Sequence, residues 1–403
     1  MKRSHLFIAL VVALSLVLGI FLRLRPTSAS GFDENVYQIY LEHLQQAGGI
    51  AHYGEIVRYY EVGQEQTHDA IVHPLRMVYL VVSYGWMRLF HVQPLAALHA
   101  VSALAGVLHL LVAGVFAWRL GGRRFLAGVL MLTAFAPLQI CLAQRALVDG
   151  IYAMEALLCL WLLWENLQST NDWRWLAAYG VSLFLLVMTK EYAAFAVLAF
   201  FCILVINRWA RFGKATPALF AVTVAGPALA VVVLAAYAGG PAAFIHLYTE
   251  LIQKSRTLDY AIYLQDGPWC RYLLDFMLVT PVVMLLAIGR TFQISGRNKG
   301  DLFCLLFIVF TYLPMANVSR GMSLRFAGFW DVPLCWLAFS QLAVMARQAP
   351  HRWKVTTLVA TTVLVCGVEF WQFERIFTDV VQPPVYDPIT LHLLRAVKIV
   401  SFK

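Results

Sequence analysis

Apolar residues in this sequence come in long blocks separated by short polar, mostly basic, stretches. Eleven blocks stand out, at residues 5–23, 95–118, 125–143, 150–165, 174–189, 192–207, 216–238, 271–289, 302–317, 325–346 and 355–372. A helix that crosses a bilayer takes about 20 apolar residues at about 1.5 Å each. Inside hydrocarbon the backbone must satisfy its own hydrogen bonds, so such blocks predict helices. The expected fold class is an all-α polytopic membrane protein, one integral domain over residues 1–403, with about eleven spanning helices.

A twelfth segment, PLRMVYLVVSYGWMRLF at 74–90, is apolar but short, and it contains Arg76 and Arg88. Loop charges decide how to treat it. If it lies in the interface and the N-terminus is cytoplasmic, the inner loops hold Lys2/Arg3, Arg119/Arg123/Arg124, Arg174, Arg208/Arg211/Lys214, Arg290/Arg297/Lys299 and Arg347/Arg352/Lys354. Glu165, Asp172 and Asp301 are then the only inner acids, which is the positive-inside pattern. If 74–90 crossed, every later basic cluster would fall outside. The segment is therefore expected to be interfacial.

This parity divides the chain into a first external loop with interfacial helices (24–94), a core transmembrane module (95–238), a second external loop (239–270), C-terminal transmembrane helices (271–372) and a short external tail (373–403). The first block is long for a signal peptide. The segment Thr27-Ser28-Ala29-Ser30 resembles a cleavage site, but an uncleaved first span is the expectation.

Composition agrees. Hydrophobic residues make up 61% of the 403 residues and charged residues 13%, far from soluble-domain usage. The net charge of +9 sits in loop clusters and forms no basic stripe, so no nucleic-acid partner is expected. The seven cysteines lack metal-ligand spacing and read as packing thiols.

Charges inside or beside apolar blocks are the functional candidates, because lipid makes them costly. Asp33-Glu34, in SGFDENVYQIYLEHL, follows the first block closely. Acids favour a helix start, so capping is one reading. The other is a general base at the membrane surface, or a pair of oxygen ligands for a divalent cation such as Mg or Mn. Arg145 and Asp149, in AQRALVDGIYAMEAL, stand between the third and fourth blocks and are spaced i,i+4, which allows mutual neutralisation. Asp149 is also a candidate cation ligand with Asp33 and Glu34. Lys190-Glu191 splits two blocks; Lys190 either snorkels or binds a phosphate as a point charge. Arg325 and Asp331, in NVSRGMSLRFAGFWDVP, allow either a structural pair or a guanidinium fork for phosphate.

The order and sidedness of these motifs resemble the GT-C glycosyltransferase superfamily, in its protein mannosyltransferase and aminoarabinose transferase-like branch. Asp33-Glu34 resembles the acidic motif of that family's first external loop, and His73-Pro74-Leu75 its HPP-type entry to an interfacial helix. Residues 119–124 resemble its GRR-type inner turn, Arg145 and Asp149 its second external charged motif, Thr189-Lys190-Glu191 its TKG-type motif, and Arg325-Phe326 its late Arg-Tyr motif. The likeness is densest over residues 1–210. His73-Pro74 lacks the second proline, and Glu191 stands where glycine is usual.

The resemblance implies a GT-C-like bundle that moves a sugar from a polyprenyl-phosphate donor to an acceptor glycan, lipid or protein on the non-cytoplasmic side, in a bacterial inner membrane. It implies Asp33 as base, Glu34 and Asp149 as base-positioning or cation residues, and Lys190, Arg325 and Arg145 as phosphate ligands. His73, Glu191 and Asp331 complete the site candidates. The competing classes are a secondary transporter or flippase, and a non-catalytic lipid-carrier binder.

Overall fold

The computed structural model describes residues 2–25, 31–66, 72–170, 172–258, 261–262 and 265–379. The 27–30 segment, Asp259 and residues 380–403 of the tail lie outside them. Every described element is helical. In chain order the first twelve helices are α1 (Lys2–Arg23), α2 (Phe32–Gln46), α3 (Gly54–Gln66), α4 (Met77–Phe90), α5 (Pro94–Gly121), α6 (Arg123–Ala134), α7 (Pro137–Gln144), α8 (Val148–Gln168), α9 (Trp173–Thr189), α10 (Ala193–Ala210), α11 (Pro217–Tyr237) and α12 (Pro241–Thr257). Helices Arg271–Val279, Pro281–Thr291, Lys299–Met315, Asp331–Arg347 and Lys354–Phe373 follow, with a 3₁₀ segment Leu324–Trp330 before the fourth of these.

All eleven apolar blocks fall on helical segments, but fewer qualify individually as spans. Among the described residues six helices are long and apolar enough to cross, or seven with the bent pair α6–α7. The difference from eleven has physical causes. Asp149, Glu155 and Glu165 lower the hydropathy of α8, α9 has 17 residues, and a break at Thr280 divides the 271–289 block.

The α6–α7 bend is 59° and sits at Pro137. Proline cannot continue the helix ladder, so carbonyls at the end of α6 lose their partners. The guanidinium of Arg23, buried at the end of α1, donates to Thr133 O at 2.8 Å and Ala134 O at 3.1 Å. A cation at a helix C-terminus also suits the helix dipole. Small residues let the neighbouring helices approach, and a Cβ on Gly106 of α5 would stand 2.4 Å from the Ala143 Cβ of α7.

α8 is the central helix of the bundle. It is buried on all sides for most of its length, as its nearly uniform apolar sequence requires. A second core lies under α2, α3 and α4, built on Tyr37, Tyr40, Tyr53, Tyr60 and Tyr79. Four of these hydroxyls find partners: Tyr37 receives a hydrogen bond from Arg76, Tyr40 and Tyr53 donate to the carbonyls of Val72 and Pro74, and Tyr79 meets Ser102. Aromatic rings with a bonded polar tip hold these helices on one end of the bundle.

The three acids assigned to the opposite end are structural. Glu165 takes a bidentate fork from Arg119 at 2.6 Å, Asp301 accepts from Arg290, Trp336 and Ser340, and Asp172 caps α9. All seven cysteines are free thiols.

Candidate active site

The charged candidates converge at one end of the bundle. α2 starts a short distance after α1 ends, and its N-cap is Gly31. Glu34 occupies the third helical position, and its carboxylate accepts from the Gly31 N–H, the reciprocal half of a capping box. The same carboxylate accepts from Arg145 Nε at 3.0 Å and Nη2 at 3.3 Å, and from the Ala146 N–H at 2.9 Å. Glu34 is fully buried. A Cβ at residue 31 would stand 2.6 Å from Arg145 Nη2, so a side chain there would have to displace the guanidinium.

The expected i,i+4 pair of Arg145 with Asp149 does not form. α7 ends at Gln144, Arg145 and Leu147 are extended (ψ 146° and 145°), and α8 starts at Val148. The two side chains therefore leave in different directions. Asp149, buried in the first turn of α8, is bonded instead to Lys190.

Lys190 lies in the turn between α9 and α10, its ammonium enclosed between Asp149 and the ring of Phe326, 3.7 Å from the centroid. Burial, reinforced by the neighbouring Arg76 and Arg325, pushes the Lys190 pKa down to about 8 against the pull of Asp149 and Glu191.

Arg325, in the 3₁₀ segment before helix Asp331–Arg347, connects two carboxylates. Its Nη2 is 2.6 Å from Asp33 Oδ2 and its Nε is 3.8 Å from Asp149 Oδ2. Asp33 is 22% exposed, so the candidate base sits at the open edge of the cluster. The result is a continuous chain Lys190–Asp149–Arg325–Asp33, with Glu34–Arg145 behind it.

A further ion pair closes the other side. Arg76 places a fork on Glu191, at 2.8 and 3.4 Å, and donates to the Tyr37 hydroxyl at 2.6 Å. Arg76 and Tyr37 were not site candidates by sequence. The available signal was a buried-type arginine inside an otherwise apolar segment. His73 stands beside this pair, with its ring stacked on Tyr248 of α12.

Asp331 does not join the cluster and is not paired with Arg325. It is buried inside the bundle and accepts from the Gln139 side chain at 2.8 Å. It begins its own helix while Arg325 precedes it on the 3₁₀ turn, and the two point to different partners.

An apolar groove of about 590 Å³ leads away from the cluster. Lys190 and Glu191 stand at its head, Val197 and Phe201 of α10 and Pro227 of α11 form its walls, and Phe244 and Tyr248 of α12 cover it.

No protein-family model matches the sequence, and no curated protein matches it. Solved structures do. The chain is similar to ArnT from Cupriavidus metallidurans in the apo state, with 16% identity over 98% of this chain and 69% of that one, at a TM-score of 0.55. The same protein bound to undecaprenyl phosphate matches at 16% identity, over 97% and 68%, with a TM-score of 0.58. The apo oligosaccharyltransferase of Archaeoglobus fulgidus matches at 12% identity, over 91% of this chain and 55% of that one, with a TM-score of 0.59. Both proteins are GT-C glycosyltransferases. This chain has a GT-C fold. With its long apolar helices, it is an integral multi-pass membrane protein.

The Archaeoglobus enzyme has also been solved in complex with Zn and sulfate, at 14% identity to this chain. Asp33, Glu34 and Asp149 do not fit a divalent ion as they stand in this GT-C bundle. Each carboxylate is held by a guanidinium or ammonium group, and Glu34 also receives two backbone N–H groups. A cation would have to displace cations, which like-charge repulsion opposes. Among the described residues no group of three or more His, Cys, Asp or Glu side chains converges as ligands.

Proposed function

We propose that this protein is a membrane glycosyltransferase that moves a sugar from a polyprenyl-phosphate donor to an acceptor on the non-cytoplasmic side, with inversion at the anomeric carbon. The observation that carries this reading is the Lys190–Asp149–Arg325–Asp33 chain at the head of an apolar groove. The groove suits a polyprenyl tail, and the two cations suit its phosphate. Similar folds have been solved bound to undecaprenyl phosphate and to a dolichol phosphate with an inhibitory peptide.

Asp33 acts as general base. It takes the proton of an acceptor hydroxyl as that oxygen attacks the anomeric carbon, and the bond from that carbon to the phosphate oxygen breaks on the opposite face. The electron pair leaves with the polyprenyl phosphate, whose charge Lys190 and Arg325 stabilise. Arg325 offers five N–H donors in a planar fork, enough to keep Asp33 on one edge and meet phosphate on another. Asp149 keeps the two cations together while no donor is bound. Arg145 acts through Glu34, which fixes the α2 start and so aims Asp33.

The loop charges support this sidedness: with the N-terminus cytoplasmic, the basic clusters of the sequence fall in the inner loops and the site residues in the outer ones. A transporter site would more naturally lie at the membrane midplane; this cluster lies at one end of the bundle.

The test is a transfer assay on purified protein in liposomes with a panel of labelled polyprenyl-phosphate sugars. Asp33→Asn should abolish transfer and keep donor binding. Full activity in that variant removes Asp33 from the base role, and solute flux without transfer from any donor sinks the enzyme reading.

A further inference from the structure

Next to the charge cluster lies a second group of side chains that the transfer chemistry leaves unexplained. The Tyr60 hydroxyl, both amide atoms of Gln64 and Nε2 of His73 are buried and have no hydrogen-bond partner. Their residues are at most 1% exposed. Native proteins leave few such atoms, because each costs desolvation with no bond in return. Four in one place form a site waiting for polar partners.

The three residues share a small space. Tyr60 and Gln64 are one turn apart on the same face of α3. The Tyr60 ring is 5.4 Å from that of His73, and His73 stacks on Tyr248 at 4.5 Å. Tyr248 is also part of the groove cover, so one ring separates the cluster from the groove head at Lys190 and Glu191.

The chemistry of the atoms is specific. His73 Nδ1 accepts from the Leu75 N–H at 3.2 Å, which leaves the proton on Nε2 as a donor. Burial pushes the His73 pKa down to about 4, so the ring is neutral at ordinary pH. Gln64 supplies both a donor and an acceptor, and Tyr60 can serve as either. The cations beside it are already engaged: Arg76 holds Glu191 and Tyr37, and Lys254 donates to the Gln64 carbonyl. The cluster therefore offers mixed neutral donors and acceptors beside aromatic faces, with no cation set aside for an anionic substituent.

We propose that Tyr60, Gln64 and His73 form the subsite for the donor's sugar ring, and that the sugar is a neutral, hydroxyl-bearing one. Hydroxyl groups both donate and accept, and so match this set. A sugar carboxylate would find no unshared positive partner. The inference rests on the donor reading above. The route in is under α12, which covers the cluster, buries only Leu247 and is tied to α3 by Lys254 on the Gln64 carbonyl. α12 follows Gly239 and Gly240, at φ 92° and 123°, a conformation glycine adopts freely and a natural hinge.

The test measures binding to the full-length protein in nanodiscs. The probes are undecaprenyl phosphate, its hexose conjugate and its hexuronic acid conjugate. The variants are Tyr60→Phe and Gln64→Met, which remove polar atoms and keep the bulk. Wild type should bind the hexose lipid more tightly than the bare phosphate lipid. Each variant should erase about tenfold of that preference, the size of one or two hydrogen bonds, with bare-lipid affinity within about twofold. Both variants should unfold at the same temperature as the ligand-free wild type or higher, because an unpaired buried group has been removed. A purely structural role predicts the opposite stability change. An unaltered hexose preference in both variants overturns the subsite. Tighter wild-type binding of the hexuronic lipid overturns the neutral-sugar assignment. Failure of wild type to bind even bare undecaprenyl phosphate sinks the donor reading, and this inference with it.

Discussion

The Asp33 carboxylate and the Arg325 guanidinium meet at 2.6 Å, although one stands at the first interfacial helix and the other just before the penultimate long helix. Arg325 also faces Asp149 at 3.8 Å. One planar side chain thus connects the candidate base to the carboxylate that holds Lys190. Lysine carries the same charge on a single flexible ammonium and cannot span both contacts. Arg325→Lys should lower the transfer rate about 100-fold or more, the usual cost of losing one oriented donor at a developing charge. Single-turnover kinetics with labelled donor would check this; a rate within threefold of wild type (about 0.7 kcal/mol) counts against the role.

Glu34 separates from Asp33 on stability. It accepts two bonds from Arg145 and two from backbone N–H groups, all in a dry setting. Removing the charge leaves Arg145 in a site built for an anion. Glu34→Gln should destabilise the protein by about 3 kcal/mol, as breaking buried pairs does. Thermal unfolding in detergent reads this directly. A variant as stable as wild type but inactive would instead mark Glu34 as a participant in the chemistry.

These two residues show what the sequence could reveal. Asp33, Lys190 and Arg325 were legible because a charge beside an apolar block needs a reason, and their common side followed from loop charges. The helices were legible for the same cause, since lipid permits little else. Pairing was not legible. Arg145 has Asp149 four residues away, yet the chain is extended between them and its partner is Glu34, far earlier in sequence. Asp331 allowed a pair with Arg325 six residues earlier, but Gln139 across the bundle takes it. Arg76 stands in a short apolar segment whose pattern does not reveal its partner, since Glu191 is 115 residues away. Long-range contacts come from tertiary packing, which local pattern does not encode.

Arg76 and Glu191 join the start of α4 to the α9–α10 turn. A double-mutant cycle with Arg76→Gln and Glu191→Gln should return a coupling of about 1–3 kcal/mol in unfolding free energy. Coupling near zero would mean that the fork adds nothing to holding α4 against the bundle.

Lys190 gives a pH signature of two opposite signs. Its pKa is about 8 in the folded protein against 10.5 for the free side chain. Phosphate binding needs the ammonium, so donor affinity should fall as pH rises through about 8, at most tenfold per unit. Stability should move the other way. Between about 8 and 10.5 the unfolded chain binds the extra proton, so raising pH across that window favours the fold. Lys190→Met should flatten both profiles. A donor affinity independent of pH from 7 to 10 in wild type would remove Lys190 from the phosphate site.

Asp149 provides the sharpest separation of binding from chemistry. It neutralises Lys190 and approaches Arg325, so an arriving phosphate must compete with it for both cations. In Asp149→Asn the competitor's charge is gone. Two cations then face each other across a neutral amide, and a phosphate relieves that repulsion more than it does in wild type. Bare polyprenyl phosphate should bind as tightly as before or more so. The same change lets Lys190 and Arg325 drift apart in the productive complex, and Arg325 no longer has a second anchor to hold it beside Asp33. Turnover should therefore fall about 100-fold while donor affinity is kept, the pattern of an interaction that matters mainly in the transition state. Binding and turnover measured on one preparation decide the point. Equal loss of both would make Asp149 a folding residue of α8 rather than the pivot of the site.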